Sequence, residues 1–196
     1  MRLFAAVLPP PAATAELARA AQGLHALPGA ERLRWTERAG WHLTLAFYGE
    51  TDEAADGELR ARLARAARRA RPFALRLAGG GRFGDRALWA GLGEGSEREP
   101  LRRLAAASAA AGRRAGLGAE DPSRFRAHLT LARTSPARPV DLRPYAAALD
   151  GFTGEPWTVT ELALVRSHAP APGVPGARPR YETVDSWPLG PEPRPS

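Results

Sequence analysis

The chain has 196 residues, enough for one domain with a substantial core, and its 44% hydrophobic and 25% charged content is ordinary for a globular protein. The absence of cysteine excludes disulfides, thiolate metal sites and a thiol nucleophile, and no apolar run nears the ~20 residues that cross a bilayer. A formal charge of +7 suits an anionic partner, but with arginine abundant and lysine, isoleucine and asparagine missing, part of that charge reflects GC-rich codon usage.

The first apolar run, Arg2 to Leu8, is too short for a signal peptide, so a cytoplasmic protein is expected. It reads as a buried strand, and Pro9 to Pro11 turn the chain into a helix with Leu17, Ala21 and Leu24 on one face. A short strand is expected over Arg32 to Thr36 and a stronger one over Trp41 to Tyr48, ending at Gly49. Asp52 then caps a helix with Leu59, Leu63, Ala66 and Ala70 inward and a solvated arginine face. Phe73 to Ala78 alternates like a half-buried strand, Gly79 to Gly81 reads as a hairpin turn, and Ala87 to Leu92 as the returning strand.

A helix begins between Ser96 and Pro100, with Ser96 and Glu99 in capping-box spacing and Leu101, Leu104, Ala105 and Ser108 inward. Strands are expected over Phe125 to Arg133, Trp157 to Arg166 and Arg180 to Trp187, with a short helix over Asp141 to Leu149. Ala169 to Pro179 reads as an exposed loop, residues 1–188 as one domain, and residues 189–196 as a flexible tail. Several strands follow one another without an intervening helix, which predicts an α+β fold with antiparallel pairing.

One pentapeptide occurs twice: His42-Leu43-Thr44-Leu45-Ala46 and His128-Leu129-Thr130-Leu131-Ala132. Two of the four histidines in the chain thus share one context. On a strand, His and Thr two positions apart point the same way, roughly 7 Å apart, while the leucine between them packs behind. Two such strands facing each other would gather two imidazoles and two hydroxyls. That set suits displacement at phosphorus, one imidazole taking a proton from the nucleophile and the other giving one to the leaving oxygen. An imidazole pKa of about 6.5 keeps both forms available. The threonines can donate hydrogen bonds to non-bridging oxygens as charge builds there. Zinc-ligand spacing is absent from both segments, no cofactor is expected, and His25, near a helix end, and His168, in a flexible loop, receive no role.

Arg34-Trp35, the run Trp41 to Glu50 and the run Phe125 to Arg133 resemble the bacterial RNA 2',3'-cyclic phosphodiesterases of the two-histidine phosphoesterase superfamily, historically called 2'-5' RNA ligases. The resemblance implies two pseudo-symmetric lobes, each a mainly antiparallel sheet with helices outside, and a cleft between them. It implies metal-independent opening of terminal 2',3'-cyclic phosphates to 2'-phosphates, with RNA as partner, tRNA fragments included. By the same resemblance His42 is the proton donor, His128 the proton acceptor, and Thr44, Thr130 and Arg133 hold the phosphate. Arg133 lies an odd number of residues from His128, so it reaches the same face only if the strand ends or bulges. RNA ligation by the same site and a non-catalytic RNA-binding module are the competing expectations. No oligomer signal is present, so a monomer is expected.

Overall fold

The computed structural model describes residues 1–118, 121–170 and 178–191. In chain order its elements are β1 (Arg2–Val7), α1 (Pro11–Gln22), β2 (Arg34–Trp35), β3 (Leu43–Glu50), α2 (Glu53–Arg69), β4 (Phe73–Leu75), β5 (Leu77–Phe83), β6 (Ala87–Leu92), α3 (Arg98–Arg114), β7 (Leu129–Arg133), α4 (Arg143–Ala148), β8 (Trp157–Val159), β9 (Glu161–His168) and β10 (Arg180–Pro188).

The main sheet runs β10-β9-β1-β3-β7-β6-β5, with β2 paired to β7; β4 and β8 form a separate ribbon. Every pairing is antiparallel, so the α+β antiparallel expectation holds. Among the described residues the two halves of the sheet meet through a single register pair, Leu43 with Leu129. Beyond it β7 turns its edge to β2, through Ala132 and Arg133, so β3 and β7 diverge at once.

Strand β1 is apolar on both faces because both are covered. Leu3, Ala5 and Val7 enter the main core, while Phe4 and Ala6 join Ala163 and Val165 in a small cluster on the other face. Helices α2 and α3 pack together, α3 against β3 and α2 against β10, while α4 lies on β5 and β6. The Asp52 carboxylate caps α2 by accepting from the Ala55 N–H, and its inner face is Leu59, Leu63 and Ala67, with Ala67 in place of the expected Ala66.

Several boundaries differ from the sequence reading. Gly79 to Gly81 is not the hairpin turn but lies inside β5, and the turn is Gly84 to Arg86, with Gly84 at φ +53°. The glycines serve close packing: a Cβ on Gly81 would lie 2.3 Å from the Trp89 indole, and one on Gly80 2.4 Å from Leu149. Ser96 forms no capping box, because its hydroxyl bonds the backbone of Arg76. The segment Phe125 to His128 precedes β7 instead of belonging to it, and the strand expected over Trp157 to Arg166 breaks into β8 and β9.

His168 is the last residue of β9 and meets Glu182 of β10 at 2.8 Å, so it is not in a loop. Residues 171–177 of the expected loop and 192–196 of the expected tail lie outside the described residues. Leu189 is buried, and the Gly190 N–H donates to the Ala67 carbonyl.

Candidate active site

The single antiparallel pair Leu43–Leu129 brings His42 toward the Thr130 side and Thr44 toward the His128 side of the neighbouring strand. Both leucines are buried, so their neighbours point to the opposite face; His42, Thr44, His128 and Thr130 are all half-buried there. Alternate residues along a strand sit about 7 Å apart. The duplicated segments thus assemble one four-cornered polar patch with the two histidines on a diagonal.

Each strand carries a bulge at the equivalent place. On β1 Ala6 pairs with Thr44 but Ala5 with Ala46, so Leu45 is the extra residue; on β6 Trp89 pairs with Thr130 but Leu88 with Ala132, so Leu131 is. Two successive residues of each strand are therefore buried, Leu45 with Ala46 and Leu131 with Ala132. The bulge reverses the alternation that follows and re-aims the next side chain. Phe47 and Arg133 consequently return to the His-Thr face, both exposed. This removes the parity obstacle to Arg133 and puts an aromatic ring and a guanidinium at corresponding corners.

Both histidines are held in the same way. His42 Nδ1 lies 2.7 Å from the Gly40 carbonyl oxygen and His128 Nδ1 lies 2.6 Å from the Arg126 carbonyl oxygen. A carbonyl oxygen only accepts, so each Nδ1 carries the proton and donates, which leaves Nε2 as the nitrogen that exchanges protons. Aromatic rings fix the tilt. The His42 ring centroid is 4.6 Å from that of Phe4 and 5.1 Å edge-on from Tyr181, and His128 is 4.7 Å edge-on from Phe83 and 6.3 Å from Trp89.

Burial pushes the His42 pKa below its ordinary 6.5, because the charged ring loses water. The Gly40 carbonyl opposes that shift, and the positive charges of His128 and Arg133 add to it.

A cleft of about 480 Å³ opens beside the patch, lined by Thr44, Phe47, Phe83, Phe125, His128 and Arg133 among others, while His42 and Thr130 lie outside its wall. Arg124 and Arg126 also line it, and Asp121, which accepts from the Ser123 N–H, is its one acidic group among the described residues. Arg32, Arg34, Arg82 and Arg86 do not line it; Arg34 reaches the Thr134 carbonyl and Arg82 the Gly84 carbonyl and Asp85. Of the tryptophans, Trp35 and Trp41 donate their N–H groups to Ala30 and Thr36, whereas Trp89 stands beside His128. Among the described residues no group of three His, Cys, Asp or Glu side chains is placed to hold a metal ion. No helix among them is long and apolar enough to cross a membrane.

The clamping carbonyls, the two bulges and the ring pairs were not read from the sequence. A carbonyl leaves no mark on residue identity. The bulges did leave one: Phe47 and Arg133 sit out of phase with the alternation before them.

A family model described as the 2'-5' RNA ligase superfamily matches residues 9–171. An RNA 2',3'-cyclic phosphodiesterase of Geobacillus stearothermophilus is 31% identical over 164 residues, which cover 79% of this chain and 47% of that protein. The match thus spans about half the length of that relative. Among solved structures, TT0787 of Thermus thermophilus is similar with a TM-score of 0.73 at 31% identity, covering 98% of this chain and 100% of that one. LigT of E. coli in its apo form gives a TM-score of 0.71 at 26% identity, covering 96% and 97%.

Proposed function

Because the chain belongs to the 2'-5' RNA ligase superfamily, we propose that it opens RNA 2',3'-cyclic phosphate ends to 2'-phosphate ends, using its two motif histidines as acid and base. The observation that carries this reading is the pairing of two identical His-x-Thr segments across Leu43 and Leu129, each histidine clamped through Nδ1. His128 Nε2 takes a proton from water as the water oxygen attacks phosphorus. The P–O3' bond breaks, and His42 Nε2 gives its proton to the departing oxygen. Thr44 and Thr130 donate to the non-bridging oxygens, and Arg133 balances their charge.

The depressed pKa of His42 fits the donor role once substrate is bound. A phosphodiester anion in the patch offsets the positive charges of His128 and Arg133, so the ring gains its proton with the substrate and releases it readily. All four motif residues come from one chain, so a monomer suffices, and RNA termini, those of tRNA fragments among them, are the substrates.

The deciding experiment is product analysis on an oligonucleotide ending in a 2',3'-cyclic phosphate, run against 2'- and 3'-phosphate standards. Accumulation of the 2'-phosphate supports the reading, and an unchanged cyclic end at high enzyme refutes it. The name of the superfamily favours a second reading, joining of RNA ends through a 2'-5' linkage, in which a 5' hydroxyl attacks the cyclic phosphate in place of water and O3' leaves. The same assay detects it as a longer product when a second RNA with a free 5' hydroxyl is supplied.

A further inference from the structure

The cleft beside the patch does not end at His128. A second cavity of about 260 Å³ abuts it, and four residues, Phe83, Phe125, Arg126 and His128, line both. The far wall of the second cavity carries Arg98 and Arg102, on the first turns of α3. Arg98 donates to the Leu92 carbonyl and Arg102 pairs with Glu99, so both have partners within the protein. Arg126 differs. Its backbone carbonyl holds His128, yet among the described residues its exposed guanidinium has neither an ion pair nor a hydrogen bond.

The local backbone explains that placement. In the extended segment before β7, Phe125 and Ala127 pack against the core, so the residue between them must point outward, over the seam between the cavities. Arg126 lines both cavities together with the half-buried Phe83 and Phe125, and a guanidinium grouped with two phenyl rings is suited to a phosphate flanked by two bases. The rings offer stacking faces, and the fork offers two parallel hydrogen bonds.

Building on the function proposed above, we propose that the two cavities receive the last two nucleotides of an RNA chain, with Arg126 gripping the phosphate that joins them. The enzyme is then built for polynucleotide ends, and a 2',3'-cyclic mononucleotide fills only half of its site.

The test compares kcat/KM for a 2',3'-cyclic mononucleotide, a dinucleotide and a trinucleotide, each ending in the cyclic phosphate. In the wild type, kcat/KM is expected to rise about tenfold or more from mononucleotide to dinucleotide, the return for one charge-assisted contact, with a smaller further step to the trinucleotide. In Arg126→Ala the ratio of dinucleotide to mononucleotide should fall toward one, and the dinucleotide rate should lose part of its salt dependence; Arg126→Lys should keep an intermediate ratio. Equal efficiency on all three substrates in the wild type overturns this inference and leaves the hydrolase standing. So does an unchanged ratio in an Arg126→Ala protein with native circular dichroism. Cleavage of none of the three overturns both.

Discussion

Leu43 and Leu129 are partners in the one register pair that joins the two halves of the main sheet, and each stands between the histidine and threonine of its own motif. The pair that closes the sheet is therefore also the pair that sets the polar patch. Truncating either leucine to alanine removes a fully buried side chain at a junction that, among the described residues, has no second pairing between β3 and β7. Leu129→Ala should cost about 2–5 kcal/mol in urea unfolding and lower turnover more than a core truncation of similar cost at Leu63. Equal losses of turnover at the two positions would show that the junction does not position the site.

His42→Ala and His128→Ala should each reduce cleavage of cyclic-phosphate RNA by about 10²- to 10⁴-fold, with near-wild-type melting temperatures. Thr44→Ala and Thr130→Ala should cost about 10²- to 10³-fold, mostly in kcat, as the loss of one transition-state donor does. Full activity in either histidine variant would end the two-imidazole mechanism. Since two imidazoles can perform both proton transfers, activity should survive excess chelator.

The titration of His42 has a definite sign. Its folded pKa lies below the ordinary 6.5, so the unfolded chain binds the proton more tightly. This group therefore contributes stability that is complete above about pH 6.5 and lost as the pH falls toward the folded value. By NMR its midpoint should lie below 6.5 in the free protein, and Arg133→Gln should move it upward by removing a positive neighbour. A downward shift in that variant would contradict the electrostatic coupling. Added inorganic phosphate should raise the midpoint, because an anion in the patch favours the charged ring.

Gly81→Ala should be more damaging than an added methyl suggests. The new Cβ would fall 2.3 Å from the Trp89 indole, which must then swing from its seat beside His128. A loss of about 1–3 kcal/mol is expected, with a changed tryptophan emission and a lower kcat. Gly57→Ala is the control: nothing lies within 4 Å of its added Cβ, inside helix α2. Its stability should be unchanged or slightly raised. Wild-type emission and kcat in Gly81→Ala would show that the indole can relax without disturbing the histidine.

The antiparallel α+β class, the Asp52 cap and both His-x-Thr strands were legible because each rests on local periodicity or local hydrogen bonding. What escaped depended on contacts between distant segments. Gly79 to Gly81 reads locally as a turn, and only the indole of Trp89 from the next strand explains glycine within a strand. His168 reads as loop until its strand finds β10 and Glu182. The strand expected from Phe125 begins only at Leu129, where its first pairs with neighbouring strands, Ala90 of β6 and Leu43 of β3, are made. Arg133 marks the limit most sharply. Its identity pointed to phosphate and its phase pointed away, and the Leu131 bulge reconciles the two.

The carbonyls that clamp His42 and His128 belong to residues under unequal constraint. Position 40 is closed to any side chain, since a Cβ there would stand 2.8 Å from the Tyr181 ring. Position 126 holds its histidine with the same backbone atom but opens to solvent. A main-chain oxygen is present whatever residue supplies it, so the proton chemistry of the second half is insulated from mutation at that position. One copy of the motif is thus frozen by its packing, while the other is free to acquire new recognition without disturbing the imidazole it serves.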